Sequence, residues 1–95
     1  MAVKVQSLLL GEAADPEIEE AARAMAKAFP ELERVLHVIT MQQGPGEVVV
    51  SIKIAFASRL GIDEVCRVIN AFEAKLRALR PEVRWCFVEP DIPRS

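Results

Sequence analysis

The chain of 95 residues has few of the side chains from which catalytic centres are usually built. It contains one histidine, His37, and two cysteines, Cys66 and Cys86. The sequence shows no nucleophile elbow and no glycine-rich turn that opens a helix, so no catalytic set of side chains emerges. Two cysteines are too few for a zinc-finger framework, and in a cytosolic protein they are expected as reduced thiols. We therefore expect a protein that is not an enzyme.

The chain also lacks an excess of positive charge and long apolar segments. The formal net charge is −2, so the chain has no basic field that would hold nucleic acid or an anionic membrane surface. The apolar run at residues 8–10 is far shorter than the roughly 20 residues that cross a bilayer, and no signal-peptide segment is seen. We therefore expect a globular cytoplasmic domain that binds no nucleic acid.

The pattern of residues 62–91 predicts a helix, a turn and a strand. Apolar residues recur at helical spacing along one stripe, namely Val65, Ile69, Phe72, Leu76 and Leu79. Cys66 lies beside this stripe in sequence and is expected in the core. Pro81 cannot continue the helix. Residues 83–88 are rich in β-branched and aromatic side chains, which predicts a strand that stops at residues 89–91.

The first half of the chain predicts a helix and a β-hairpin. Asp15 followed by Pro16 is a strong helix start, and Pro30 predicts that this helix ends at about Phe29. An extended pattern follows at residues 32–42, and alternating apolar residues predict a second strand over Glu47–Phe56. The Gly-Pro-Gly sequence at residues 44–46 is typical of a turn, so the two strands form an antiparallel hairpin.

The predicted order of elements is therefore α-β-β-α-β. With short connections and a right-handed crossover, both helices cover one face of a three-stranded sheet, which is an α+β fold of the ferredoxin-like, open-sandwich kind. The domain is expected over residues 15–91, between a partly disordered connector at 1–14 and a tail at 92–95. In the first and third strands, apolar residues occur at both alternate sets of positions, so both faces of each strand carry apolar side chains. This pattern predicts that the uncovered face of the sheet packs on a second copy of the chain or on part of a larger protein, and we expect a homodimer.

Four segments together resemble the cytoplasmic C-terminal domain of cation diffusion facilitator transporters. They are LLLGEAADPE at 8–17, similar to the junction after that family's last membrane helix, TMQQGP at 40–45, FEAKLR at 72–77 and FVEPD at 87–91. The resemblance implies a domain that dimerises below the membrane. In several members such a domain binds zinc or another divalent metal at the dimer interface and senses cytosolic metal. The resemblance also implies a membrane-embedded transporter portion, in a natural chain longer than this one.

The side chains available to a metal differ from those of the metal-binding members of that family. Those members carry histidines on the first strand, on the second strand and just before the terminal acid–proline pair. The positions nearest to these hold Leu36, Ile52 or Lys53, and Phe87 in this chain. His37 is one residue away from the first of them, which in a strand means the other face. The resemblance leaves only Glu89 in a ligand-like role.

The candidate metal ligands of one subunit are Glu89, His37, Asp91 and Cys86. Carboxylates suit hard or borderline cations, whereas imidazole and thiolate suit transition metals. Each residue also has an ordinary structural interpretation, as a solvated strand end, a surface histidine or a buried thiol. Because a closed zinc site needs four donors, we expect no tightly bound cofactor. We expect at most weak binding of Zn²⁺ or another divalent cation that needs Glu89 with His37 or Asp91.

The leading functional hypothesis is the cytosolic regulatory and dimerisation domain of a divalent-cation efflux transporter, with metal sensing as a further role that the resemblance implies. One alternative is a free-standing small metal carrier of similar topology, although such carriers usually offer a Cys-x-x-Cys loop that is missing here. A second alternative is a regulatory module that binds a small ligand between subunits. The coding sequence upstream of Met1 discriminates between them, since a transporter requires several apolar segments with intramembrane Asp and His.

Overall fold

Two helices and three strands make up the part of the chain that the computed structural model describes, residues 15–91. In chain order they are α1 (Pro16–Ala26), β1 (Leu32–Gly44), β2 (Glu47–Phe56), α2 (Ile62–Leu79) and β3 (Val83–Asp91). The order α-β-β-α-β confirms the predicted fold class. The predicted connector at 1–14 and tail at 92–95 lie outside the described residues. Within the described range, no helix is long and apolar enough to cross a membrane.

Helix α1 begins where the sequence predicts because Asp15 caps it. The Asp15 carboxylate accepts hydrogen bonds from the backbone N–H groups of Glu17 at 2.9 Å and of Ile18 at 3.3 Å. Pro16 occupies the first turn, where a missing N–H costs nothing. The backbone N–H of Asp15 also donates to Thr40 Oγ1 on β1 at 2.9 Å. The cap therefore fixes the start of α1 and ties it to the sheet.

Helix α1 ends at Ala26, three residues before the predicted end at Phe29. The N–H groups of Lys27, Ala28 and Phe29 donate to carbonyl oxygens three residues back. Such bonds tighten the last turn towards 3₁₀ geometry. Pro30 disfavours helical backbone at the residue before it, so the α-helix passes into this tighter turn ahead of the proline.

Strand β2 is the centre of the sheet, whose order is β1-β2-β3. It pairs antiparallel with β1 and parallel with β3. The hairpin between β1 and β2 contains Gly46, whose φ of 69° lies in the left-handed region that glycine adopts without steric cost. Strand β1 runs two residues further than predicted. Strand β3 includes residues 89–91, where the sequence predicts that it stops, because an edge strand tolerates Pro90, which lacks an N–H.

Both helices pack on the same face of the sheet and share one hydrophobic core. Its main members are Val48, Val50, Ile52 and Ile54 from β2, Ile18, Ala22 and Met25 from α1, and Val68, Phe72 and Leu76 from α2. The ring of Phe29, just after α1, lies with its centroid 5.6 Å from that of Phe72, a distance typical of packed aromatic pairs. The prediction that both helices cover one face is therefore confirmed.

The buried stripe of α2 differs in part from the predicted one. The buried residues are spaced by four and are Val68, Phe72 and Leu76. Of the other predicted members, Val65 and Ile69 are half-buried, and Leu79 is exposed. At 100° per residue, Leu79 lies on the same side of the helix as Phe72. It is exposed because it is the last helical residue, where the core no longer covers the helix.

The two cysteines lie in different environments. Cys66 is exposed, so the prediction that it belongs to the core is wrong. It is two residues before Val68, about 200° around the helix axis, and therefore faces away from the sheet. Cys86 on β3 is buried. Burial raises the pKa of the Cys86 thiol to about 12, with a smaller contribution from the carboxylate of Glu73. The Cys86 thiol is therefore protonated at neutral pH.

A pair of leucine-to-alanine substitutions on α2 tests this core. Leu76 is 0% exposed and Leu79 is 55% exposed, so the same chemical change is made inside and outside the core. We expect Leu76→Ala to lower the free energy of unfolding by about 2–5 kcal/mol, through lost burial and the cavity left behind. Leu79→Ala is expected to change it by less than about 0.5 kcal/mol. Urea denaturation measures both, and similar losses for the two variants would contradict the described burial.

Thiol reactivity tests the placement of the two cysteines. At pH 8, iodoacetamide is expected to modify Cys66 in the native protein and Cys86 only after unfolding, as read by mass spectrometry. The folded pKa of Cys86, about 12, exceeds the ordinary value of 9.0. Its contribution to stability is therefore complete below about pH 9 and is lost as the pH rises towards 12. A Cys66→Ser variant serves as control, and rapid labelling of that native variant would show that Cys86 is accessible.

Candidate functional site

The face of the sheet that the helices leave uncovered is built from three rows of side chains, one residue from each strand. The pairing of the strands gives the rows Met41–Val49–Trp85, Ile39–Ser51–Phe87 and His37–Lys53–Glu89. All nine residues are half-buried or exposed, whereas the alternate residues of β2 are buried under the helices. These nine residues are called the open face below.

Two of the three rows of the open face are mainly apolar. Trp85 is 45% exposed and Phe87 is 59% exposed, although both are large hydrophobic side chains. Met41 is also exposed, and Ile39 is half-buried. Contiguous exposed apolar surface is a feature of protein interaction sites. In the first and third strands, the sequence has apolar residues at both alternate sets of positions. The structure places one of these sets in the core and the other on the open face.

An arginine at the rim of the apolar rows is held by neighbours within the chain. The guanidinium carbon of Arg84 lies 5.5 Å from the centroid of the Trp85 ring, within range of a cation–π contact. Its Nη1 also donates a hydrogen bond to Glu47 Oε2 at 3.0 Å. Both partners of this ion pair are about half exposed, so its contribution to stability is small. Its effect is to orient Arg84 beside Trp85.

The third row is polar and has a lysine at its centre. Lys53 on β2 is directly opposite His37 on β1 and Glu89 on β3. The Lys53 ammonium nitrogen lies 3.9 Å from Glu89 Oε2 and 3.9 Å from Asp91 Oδ2. These distances allow electrostatic attraction but exceed direct hydrogen-bond length. The row therefore brings three of the predicted ligands, His37, Glu89 and Asp91, to one end of the open face, around a positive charge.

The fourth predicted ligand, Cys86, lies on the other face of the sheet. It pairs with Val50 in the core, between the open-face residues Trp85 and Phe87. Metal ions bind the thiolate form of cysteine, whereas the raised pKa of Cys86 keeps its thiol protonated. The predicted set of four ligands is therefore divided between the two faces of the sheet, and Cys86 is separated from the other three.

The remaining three residues do not fit a tightly held divalent metal ion in this arrangement. Among residues 15–91, no three His, Cys, Asp or Glu side chains cluster closely enough to hold one. A protonated lysine has no lone pair to offer, and its charge repels a cation. A metal at ordinary bond lengths of about 2 Å from Glu89 and Asp91 would have to displace the Lys53 ammonium.

Lys53 is the residue that the sequence analysis missed as a functional candidate. The resemblance gives Lys53 only as one of two positions nearest to a histidine of the metal-binding family members. A signal was available, since alternation along β2 places Lys53 on the same face as Val49 and Ser51, opposite the buried Ile52. What the sequence does not give is the register that aligns Lys53 with residues of both neighbouring strands.

A cavity of about 420 Å³ lies outside the open face, between the end of α1 and the start of β1. Phe29 and Leu32 form part of its apolar lining, and Arg23 stands at its edge. Arg23 is already engaged, since its Nη1 donates to the carbonyl oxygen of Val35 at 2.9 Å and its Nη2 lies 3.0 Å from Glu19 Oε2. The arginine thus stabilises an edge strand, and the lining indicates no particular ligand.

Comparison with known proteins identifies the fold. No known protein family matches the sequence, and no curated protein does. Solved structures of the C-terminal domain of MamM do match. The nickel form of one variant has a TM-score of 0.75 at 11% identity, and the match covers 84% of this chain and 100% of that one. The manganese form of another variant has a TM-score of 0.73 at 13% identity and covers 82% and 98%.

A further MamM C-terminal domain structure has a TM-score of 0.74 at 12% identity, with 82% and 98% of the two chains covered. Identities this low show a shared fold and leave function to be argued from the site. MamM belongs to the cation diffusion facilitator family, so the fold implied by the sequence resemblance is confirmed. The chain has the ferredoxin-like fold of the C-terminal domain of these transporters.

Proposed function

We propose that this chain is the cytoplasmic regulatory and dimerisation domain of a divalent-cation efflux transporter of the cation diffusion facilitator family. The observation that carries the proposal is the fold, which matches the MamM C-terminal domain over that domain's full length. The four sequence segments that resemble this family support it independently. In this proposal the chain catalyses no reaction, and the transport site lies in membrane helices outside it.

The apolar rows of the open face support a symmetric homodimer. Trp85, Phe87 and Met41 are large side chains of the kind enriched in protein interfaces. A two-fold contact uses the same patch on both copies, so one apolar surface is sufficient to bury itself. The open face is the side of the sheet that neither helix covers, which leaves room for a second copy. In this proposal the dimer steadies the transporter from the cytoplasmic side.

Any metal binding by this domain is proposed to be weak. The MamM domain has been solved in nickel, manganese, cadmium and copper forms. In this chain the corresponding candidate is the polar end of the open face, where Glu89 would act with His37 or Asp91. The Glu89 side chain is exposed and the Asp91 side chain is largely shielded from solvent, and these two carboxylates with one imidazole form an incomplete donor set. These residues alone therefore bind a divalent metal ion too weakly for metal sensing by this domain.

The membrane context has a direct genetic test. In the natural coding sequence, we expect several apolar segments with intramembrane Asp and His to precede the codon for Met1. Asp and His side chains inside a bilayer are costly, and they mark ion pathways. A natural reading frame that starts at Met1 would instead favour the free-standing alternative and would overturn the transporter half of the proposal.

A charge on the open face tests the dimer. We expect Phe87→Glu to weaken self-association by about tenfold or more, because dimerisation would bury a carboxylate without a partner. The control is Leu79→Glu, which places the same charge at a residue of similar exposure, 55% against 59%, outside the open face. Light scattering across a concentration series measures both variants, with the wild type expected to be dimeric.

Two outcomes would contradict the dimer. One is a wild-type protein that stays monomeric at high micromolar concentration, and the other is equal loss of association in both variants. Val38 and Val88 are unsuitable for this test. The sequence alone does not decide whether their side chains lie on the covered or the uncovered face of the sheet. Val38 is buried, and both valines belong to or pack against the core under the helices. A charge at either position would therefore act on folding rather than on assembly.

A further inference from the structure

The open face is uneven in two directions. Along the strands, two apolar rows are followed by one polar row. Across the sheet, the two aromatic side chains, Trp85 and Phe87, both lie on the edge strand β3, whereas the central strand adds only Val49 and Ser51 to the apolar rows. Such a surface meets a second copy of itself favourably in few orientations.

Two orientations bring the open faces of two copies together. Packed sheets lie about 10 Å apart, with their strands within about 30° of each other. The two-fold axis between them runs either across the strands or along them. An axis across the strands makes the strands of the two copies antiparallel and reverses the order of the rows. An axis along the strands keeps them parallel, so each row faces the same row of the second copy and β3 faces β1.

An axis across the strands suits the open face poorly. If it passes through the middle row, the Lys53 ammonium faces Val49 of the second copy, and the Glu89 carboxylate faces Trp85. Charged groups buried against apolar side chains without a partner are costly. If the axis lies instead between the two apolar rows, the polar row is outside the contact and the aromatic side chains of both β3 strands meet at one edge.

An axis along the strands, above β2, matches all three rows. It places apolar side chains against apolar side chains in two rows and a carboxylate against an imidazole in the third. The facing pairs, each formed twice by symmetry, are Trp85 with Met41, Phe87 with Ile39, and Glu89 with His37. The aromatic edges of the two copies lie on opposite sides of the axis, so their bulky side chains flank the smaller ones at the centre.

Lys53 lies close to this axis and faces the same lysine of the second copy. Its ammonium nitrogen lies 3.9 Å from Glu89 Oε2 and 3.9 Å from Asp91 Oδ2, so it is drawn towards the β3 strand of its own chain. The two β3 strands lie on opposite sides of the axis. The two ammonium groups therefore lean away from each other, which reduces their repulsion.

We infer that two copies of this chain pack open face to open face about a two-fold axis that runs along β2, so that Glu89 of each copy faces His37 of the other. The inference rests on the proposed function, because it specifies the contact of the proposed homodimer. In this arrangement the apolar rows supply the buried surface. The polar row sets the orientation, because the reversed orientation would bury its charges unpaired.

Cysteine crosslinking along β2 tests the direction of the axis. Val49→Cys, Ser51→Cys and Lys53→Cys are made singly in a Cys66→Ser background, where the remaining cysteine is buried. Each variant is treated with a short bismethanethiosulfonate crosslinker after light scattering has shown that it is dimeric. Leu79→Cys, exposed on α2 outside the open face, is the control and is expected to give no crosslinked dimer.

We expect all three β2 variants to crosslink to a similar extent, because an axis along the strand keeps each residue about 10 Å from its own copy. An axis across the strands would move the two copies of residue 53 apart by a further 13 Å or more along the strand, at about 3.3 Å per residue. Crosslinking would then fall steeply from one end of β2 to the other.

Mixing two charge variants tests the facing pair without changing Lys53. His37→Glu chains are mixed with ¹⁵N-labelled Glu89→Lys chains, and native mass spectrometry counts the dimers. Only the mixed dimer pairs the new glutamate with the new lysine, whereas contacts within each chain are the same in all dimers. We expect mixed dimers to exceed the statistical ratio by about tenfold.

Two results would overturn the inference and leave the proposed dimer standing. These are crosslinking that falls steeply along β2 in a dimeric protein, and a statistical mixture of the two charge variants. If Lys53→Cys does not fold, the mixing experiment decides alone. A wild type that is monomeric at high micromolar concentration would instead refute the proposed dimer, and the inference with it.

Discussion

The pairing of β2 with strands on both of its sides is the constraint on which the rest of the structure depends. Alternate residues of β2 point to opposite faces, so its register decides at once what is buried and what is presented. Val50 and Ile52 lie under the helices, while Ser51 and Lys53 lie on the open face. A slip by one residue would place an ammonium in the core, where a lone charge is very costly. Folding and the layout of the open face are thus fixed by the same interaction.

Much of this arrangement could be predicted from the sequence, because β2 alternates cleanly and its hairpin has an unmistakable turn. The face of the sheet on which His37 lies could not be predicted from the sequence. Strand β1 has an irregularity in register between Val35 and His37, so that Val35 and Val38, three residues apart, are both buried. An inserted residue changes the parity of everything after it. Periodicity alone therefore cannot assign His37 to a face, whereas pairing with Lys53 does.

Other departures from the predictions have equally local causes. The apolar stripe of α2 is broad enough that either Val65 or Val68 can lie at its centre, and the packing of the sheet decides for Val68. The exposure of Cys66 follows from that choice. The sequence does not predict that Lys53, Glu89 and Asp91 lie close together, for a different reason. It depends on the parallel register between β2 and β3, which are separated in sequence by an entire helix, so no short-range pattern encodes it.

The fold and the chemistry of the open face are separable, and this explains how the chain shares a fold with the MamM domain at 11% identity. Packing under the helices demands only apolar residues of suitable size at alternate positions. The open face is not constrained in this way, so a single residue of the central strand can change its electrostatics without disturbing the core. Lys53 is such a residue, since its neighbours along β2, Ile52 and Ile54, carry the packing. The Lys53 ammonium, 3.9 Å from the carboxylates of Glu89 and Asp91, adds a positive charge to that face without entering the core.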